Sequence, residues 1–129
     1  MHIQESGEMY LESIYVLLKE KGQVRSIDVS QRMGYSKPSV SRAMGLLKNG
    51  GYIEIDPEGL ITLTASGREV AEKIFDRHTV LSHLLISLGV DPKVAAEDAC
   101  RLEHAISDES FNAIRRHLEQ YGTKKLPLA

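Results

Sequence analysis

The chain has little of several things. One cysteine, no tryptophan, two phenylalanines and four prolines stand among its 129 residues. A single cysteine excludes an internal disulfide and fits a reducing cytoplasm. No apolar run approaches the roughly 18 residues a membrane-spanning helix requires, so no membrane partner is expected. The opening Met1-His2-Ile3-Gln4-Glu5-Ser6-Gly7 lacks the basic and apolar regions of a signal peptide, and the reading is a cytoplasmic protein. The net charge of −2 gives no global sign of a polyanionic partner. Locally the balance reverses. From Lys19 to Lys48 stand seven bases (Lys19, Lys21, Arg25, Arg32, Lys37, Arg42 and Lys48) against two acids, Glu20 and Asp28. That basic stretch makes a phosphate-binding surface plausible.

What is present is helical periodicity. A hydrophobic content of 42% supports a core, and the length suits one domain or two small units sharing a core. Leu11, Ile14, Tyr15 and Leu18 form an i, i+3, i+4, i+7 stripe, predicting a helix from residue 8 to about 20 that Gly22 ends, with Met9 and Glu12 beside the stripe. A second short helix is expected from Ser26 as N-cap to Met33, with Ile27, Val29 and Met33 inward. After the turn Gly34-Tyr35-Ser36 comes a third, to about Lys48. Ser36 is its N-cap, Pro38 lies in its first turn, and Val40, Met44 and Leu47 form its core stripe. Asn49-Gly50-Gly51 stops it.

Two short helices joined by a glycine-containing turn are the helix-turn-helix pattern, which many helical hairpins share. The β-prone runs Tyr52–Ile55 and Leu60–Leu63, joined by the turn sequence Asp56-Pro57-Glu58-Gly59, make the pattern more specific. A helix-turn-helix followed by a β-hairpin reads as a winged helix.

A long helix is predicted next, from Ser66 to about Leu88, opened by a capping box Ser66-x-x-Glu69 and closed by Gly89. Its stripe is Ile74, His78, Leu81, Leu85 and Leu88. At roughly 35 Å it is longer than a winged helix needs and is expected to enter a second helical unit. Asp91-Pro92 caps a fifth helix. Ser107-Asp108-Glu109 starts the last, with Phe111, Ile114, Leu118 and Tyr121 inward; Gly122 ends it and the tail to Ala129 reads as frayed. The fold class is therefore mainly α: a winged helix-turn-helix over residues 1–65 and a helical unit over residues 66–129.

The fifth helix carries Cys100-Arg101-Leu102-Glu103-His104. Positions i, i+3 and i+4 share a helix face, so Cys100, Glu103 and His104 offer sulfur, carboxylate and imidazole to one point. That donor set suits a borderline divalent transition metal. The opposite side, with Ala99, Leu102 and Ile106, is expected to face the core. Each residue also has an ordinary reading: Cys100 as a small buried hydrophobe, Met9 as packing, Glu12 as a solvated residue, His78 as a hydrogen-bonded core histidine. His2, His83 and His117 have no supporting partner in the sequence and read as surface residues.

Glu8-Met9-Tyr10-Leu11, Ser36-Lys37-Pro38-Ser39-Val40-Ser41, Leu63-Thr64-x-x-Gly67, Arg77-His78 and Ala99-Cys100-Arg101-Leu102-Glu103-His104-x-x-Ser107-Asp108 together resemble the diphtheria-toxin-repressor family of metal-dependent transcriptional regulators, over residues 8 to 121. The resemblance implies iron-type metal ligands at Met9, Cys100, Glu103 and His104. Manganese-type members pair a second metal through positions matching Glu12 and His78. Ser82 and Ala96 stand where long iron-type members carry an ancillary site, and the length matches the short manganese-type regulators without a C-terminal SH3-like domain. The soft pair Met9 and Cys100 leans toward Fe²⁺, with Mn²⁺ the alternative and Co²⁺, Ni²⁺ or Zn²⁺ as substitutes in vitro.

The expected partner is double-stranded operator DNA, contacted through Arg25, Ser36, Lys37, Pro38, Ser39, Ser41 and Arg42. The acidic wing (Glu54, Asp56 and Glu58) is expected to contribute little to phosphate contact. A homodimer is expected through apolar Leu84, Leu85, Leu88 and Phe111, with metal binding setting the spacing of two recognition helices. Two rivals stand beside this reading. One is a metal-independent winged-helix DNA-binding protein. The other is a small metalloenzyme, which would need a base and a substrate pocket that the sequence does not offer, so neither catalysis nor a small organic substrate is expected.

Overall fold

The computed structural model describes residues 5–122. The elements run α1 (Glu5–Lys21), α2 (Ser26–Met33), α3 (Lys37–Asn49), β1 (Ile53–Ile55), β2 (Ile61–Leu63), α4 (Ala65–Ser87), α5 (Pro92–Ala105) and α6 (Asp108–His117), with a π-helical turn at Leu118–Gly122. The chain divides into two compact units, and the boundary falls within α4 between Lys73 and Ile74. The expected reading of residue 2, and the tail beyond Gly122, lie outside the described residues.

In the first unit, α1 ends where Gly22 takes a left-handed φ of 82° and its N–H bonds back to the Leu18 carbonyl at 2.9 Å. Leu11, Ile14 and Tyr15 are buried as the stripe predicts, and Leu17 joins them. From α2 come Val29 and Ser30, from α3 Val40, Met44 and Leu47, and from the hairpin Ile53 and Ile61. Each large apolar side chain so enclosed contributes about 1.5–3 kcal/mol toward the entropy cost of ordering the helix-turn-helix.

Helix starts are fixed locally. Ser36 accepts from the Ser39 N–H at 3.3 Å, and Asp91 from those of Lys93 and Val94. Ser107 accepts from Ser110 at 3.1 Å. Two starts differ from the sequence reading. The N-cap of α2 is Arg25 rather than Ser26, because Asp28 reaches back to accept from the Arg25 N–H at 2.8 Å. The cap of α4 is Thr64 rather than Ser66: its Oγ1 accepts from Gly67 N–H at 3.1 Å and donates to the Gly51 carbonyl at 2.6 Å. Thr64 thus serves both the helix and the loop before the wing, a double role Ser66 cannot fill from inside the helix.

The wing is an antiparallel pair in register Ile53↔Leu63, Glu54↔Thr62 and Ile55↔Ile61. Asp56 builds its turn by accepting from the N–H groups of Glu58 and Leu60 at 2.9 and 2.8 Å. The Val24 carbonyl accepts from Ile61 N–H at 2.7 Å, fastening the strand to the α1–α2 connection.

Several inward assignments fail. Ile27 is 37% exposed, since it lies about 200° around a short helix from the buried Val29. Leu88 and Leu102 are exposed: Leu88 follows the end of α4, and Leu102 lies at the edge of the α5 face that buries Ala95 and Ala99. Phe111, expected on a dimer face, is buried with Leu81 and Ala99 in the core of the second unit, beside Val80, Ile106 and Ile114.

Two outcomes test these local constraints. A Cβ at Gly67 would collide with the Tyr52 carbonyl oxygen, which is main chain and cannot swing aside. Gly67→Ala should therefore destabilise the protein by about 3 kcal/mol, measured by urea unfolding. Asp28, held below its usual pKa by the Arg25 N–H and then by Lys21, stabilises the fold above the ordinary carboxylate range. Asp28→Ala should cost about 1 kcal/mol at pH 7, and the difference from wild type should shrink as pH falls below about 4, in thermal melts across pH.

Candidate metal centre and DNA-reading helix

The second unit contains the polar cluster. His78 comes from the middle of α4, and Cys100, Glu103 and His104 from the C-terminal half of α5. One ligand atom each from His78, Cys100 and Glu103 lie within 4.8 Å of one another. The Cys100 sulfur is 3.8 Å from His78 Nδ1, and Glu103 Oε2 is 3.4 Å from the same nitrogen. The other carboxylate oxygen, Oε1, is 3.5 Å from His104 Nε2. Glu103 thus stands between two imidazoles, one oxygen toward each. The i, i+3 spacing accounts for Cys100 and Glu103 sharing a face, and α4 supplies the third donor.

Burial is graded across the cluster. The Glu103 side chain is 1% exposed, His104 3% and His78 25%, while Cys100 is exposed. Among the described residues, Glu103 Oε2 is buried without a hydrogen-bond donor. A buried carboxylate oxygen lacking a donor is costly unless a cation offsets it. Ligand atoms each about 2.0–2.3 Å from one ion stand about 3–4 Å apart, and the 3.4 and 3.8 Å separations match that spacing. Sulfur, imidazole nitrogen and carboxylate oxygen together fit a borderline divalent ion.

Arg77, named in the sequence only beside His78 and given no role there, proves to be buried. Its Nη1 donates to the carbonyls of Glu103 at 3.1 Å and Ile106 at 2.8 Å, and its Nη2 pairs with Asp108. The guanidinium also lies over the Phe111 ring, 5.5 Å from its centroid. The signal that could have found it is a charge at the core phase of α4, three residues after Ile74 and four before Leu81. Asp76 pairs with Arg115 of α6 in the same region. Ser82 Oγ is buried without a hydrogen bond, and Ala96 is half-buried. His83 and His117 are exposed. Met9 and Glu12 lie on α1, in the first unit, both half-buried.

The candidate reading helix, α3, belongs to the first unit. Lys37, Pro38, Ser39, Ser41 and Arg42 of α3 are all exposed, as is the cap residue Ser36. Ser36 Oγ also bonds Ser39 Oγ at 2.9 Å, so both hydroxyls help shape the helix start. Arg25 donates its Nε to the Glu58 carbonyl at 3.2 Å, tying the start of α2 to the wing turn. The wing acids Glu54, Asp56 and Glu58 are exposed.

Known proteins match both halves. The family profile described as "Iron dependent repressor, N-terminal DNA binding domain" covers residues 2–60, and that described as "Iron dependent repressor, metal binding and dimerisation domain" covers residues 64–125. The transcriptional regulator MntR of Escherichia coli O6:H1 is 35% identical over 95% of this chain and 79% of its own length. The diphtheria toxin repressor of Corynebacterium glutamicum is 30% identical over 81% of this chain and 46% of its own length. A manganese-dependent transcriptional repressor solved in complex with manganese superposes with a TM-score of 0.81 at 28% identity, covering 94% of this chain and 55% of that one. The chain thus spans only about half the length of that solved structure and of the diphtheria toxin repressor. No helix among the described residues is long and apolar enough to cross a membrane. By sequence and fold the chain belongs to the iron-dependent repressor family of metal-dependent transcriptional regulators.

Proposed function

We propose that this protein is a repressor that binds operator DNA as a homodimer when Fe²⁺ occupies the centre at His78, Cys100 and Glu103, with His104 serving the second carboxylate oxygen. The observation that carries the reading is the buried Glu103 Oε2, which lacks a donor and lies within reach of His78 and the Cys100 sulfur. Met9 and Glu12 join the proposed ligand set on the family resemblance. A divalent cation held there would offset the buried carboxylate and join α4 to α5. His78 enters from α4, and Cys100 and Glu103 from α5, so the two helices are drawn together through side chains whose main-chain positions are already set. Ser36, Lys37, Ser39 and Ser41 would anchor phosphates, Arg42 a guanine edge and Pro38 a thymine methyl, with Arg25 beside the wing. Binding of ion and DNA is reciprocal, so each tightens the other. The proposed setting is the cytoplasm, and the regulated genes would be those of metal uptake.

Manganese is the second reading. The MntR relative and the manganese-bound solved repressor favour it, as do the carboxylates of Glu12 and Glu103. The exposed thiol in place of a carboxylate favours iron, because sulfur is a softer ligand than manganese prefers. The homodimer reading rests on the matched dimerisation domain and on Leu88, Val94 and Leu102, which remain 70%, 44% and 42% exposed in the second unit.

Two measurements test this. In fluorescence anisotropy with a duplex selected from a random library, anaerobic protein with Fe²⁺ should bind at least about tenfold more tightly than protein with chelator. Cys100→Ser should raise the Fe²⁺ concentration for half-maximal binding by about tenfold and leave the Mn²⁺ response less affected. Equal binding with chelator would sink the metal-switch reading and leave a metal-independent DNA-binding protein; a lower threshold for Mn²⁺ would reverse the metal assignment. In sedimentation equilibrium at micromolar concentration the protein should be a dimer, and a monomer would overturn the homodimer.

A further inference from the structure

We propose that Arg77, which contributes no ligand atom to the centre, is a positioning residue that sets its affinity for divalent cations. This rests on the metal-binding reading above. Consecutive residues of α4 address the same residue of α5. Arg77 donates to the Glu103 carbonyl, and His78 lies 3.4 Å from the Glu103 carboxylate. Successive helix positions diverge by about 100°, so one side chain can hold the main chain of Glu103 while the next faces its side chain. The same guanidinium takes the Ile106 carbonyl and the Asp108 carboxylate, closing the end of α5 and fixing the first turn of α6.

The energetics favour a positional role over a stabilising one. A buried guanidinium is expensive to desolvate, and Arg77 Nε is buried with no acceptor among the described residues. Its aliphatic stem and the Phe111 ring beneath it would be served as well by methionine. What methionine cannot do is hold two carbonyls and a carboxylate at fixed angles, which the planar donor fork does. The carbonyl so held belongs to the residue whose carboxylate stands between His78 and His104.

The test is Co²⁺ titration of the full chain under anaerobic conditions, following the thiolate-to-cobalt absorption band, with circular dichroism melts for each variant. Arg77→Met and Arg77→Lys should weaken Co²⁺ binding by about 10–100-fold, the lysine less, with the band unshifted because Cys100 is untouched. Glu103→Gln should weaken binding too, and Arg77→Met combined with Glu103→Gln should be no weaker than Glu103→Gln within about twofold, since Arg77 acts through that carboxylate. Should Arg77→Met fail to fold, Asp108→Asn, which releases one arm of the fork at an exposed partner, should still weaken binding severalfold. Wild-type affinity in folded Arg77→Met or Asp108→Asn, or multiplicative losses in the double variant, would overturn the proposal. If wild type gives no thiolate band with Co²⁺, the metal-binding reading falls and this inference falls with it.

Discussion

A carboxylate withdrawn from water is the constraint on which the second unit depends. Glu103 is almost wholly enclosed, in a unit whose buried apolar residues are Ile74, Leu81, Ala95, Ala99 and Phe111 among the described residues. A leucine at position 103 would make a simpler core. Placing a charge there demands compensation on every side. The protein supplies part of it from two helices: imidazoles stand 3.4 and 3.5 Å from the two oxygens and a guanidinium holds the main chain, while Oε2 has no hydrogen-bond donor among the described residues. A metal-regulated protein makes use of this, because a unit with a full apolar core would gain little from binding an ion.

The first unit is built on the opposite principle. Its core holds Leu11, Ile14, Val24, Val29, Val40, Met44, Ile53 and Ile61, all 1% exposed or less, and its helix starts are capped by short polar side chains. Nothing in that core requires a charge. The first unit carries the exposed residues of α3 and, on α1, Met9 and Glu12 of the proposed ligand set, while the second carries His78, Cys100, Glu103 and His104.

Much of this was legible in the sequence, for identifiable reasons. Helices announced themselves through 3.6-residue periodicity and through Gly22, Ser36, Asp91 and Ser107 at their ends. The wing showed itself through Asp56-Pro57-Glu58-Gly59. Spacing put Cys100, Glu103 and His104 on one face; the structure groups Cys100 and Glu103 with His78, and His104 stands at the other Glu103 oxygen. What was not legible depends on distance in the chain. Thr64 outcompetes Ser66 as a cap because Gly51 lies beside it, a contact thirteen residues away. Gly67 looks like a weak helix residue until the Tyr52 carbonyl is in place. Arg77 acts on residues 26 to 31 positions later, and no local pattern encodes such partners. Phe111 was placed both in the inward stripe of α6 and on the dimer face, because an amphipathic stripe does not say which neighbour covers it; the core of its own unit does.

The charges on the wing have a meaning of their own. Glu54, Asp56 and Glu58 are exposed on the hairpin, while Lys37, Arg42 and Lys48 are exposed along α3. The hairpin and α3 thus carry charges of opposite sign. With α3 as the proposed reading helix, a polyanion would repel an approach with the wing foremost and favour one that leads with α3. That selection fades as salt shortens the reach of the field to about 8–10 Å.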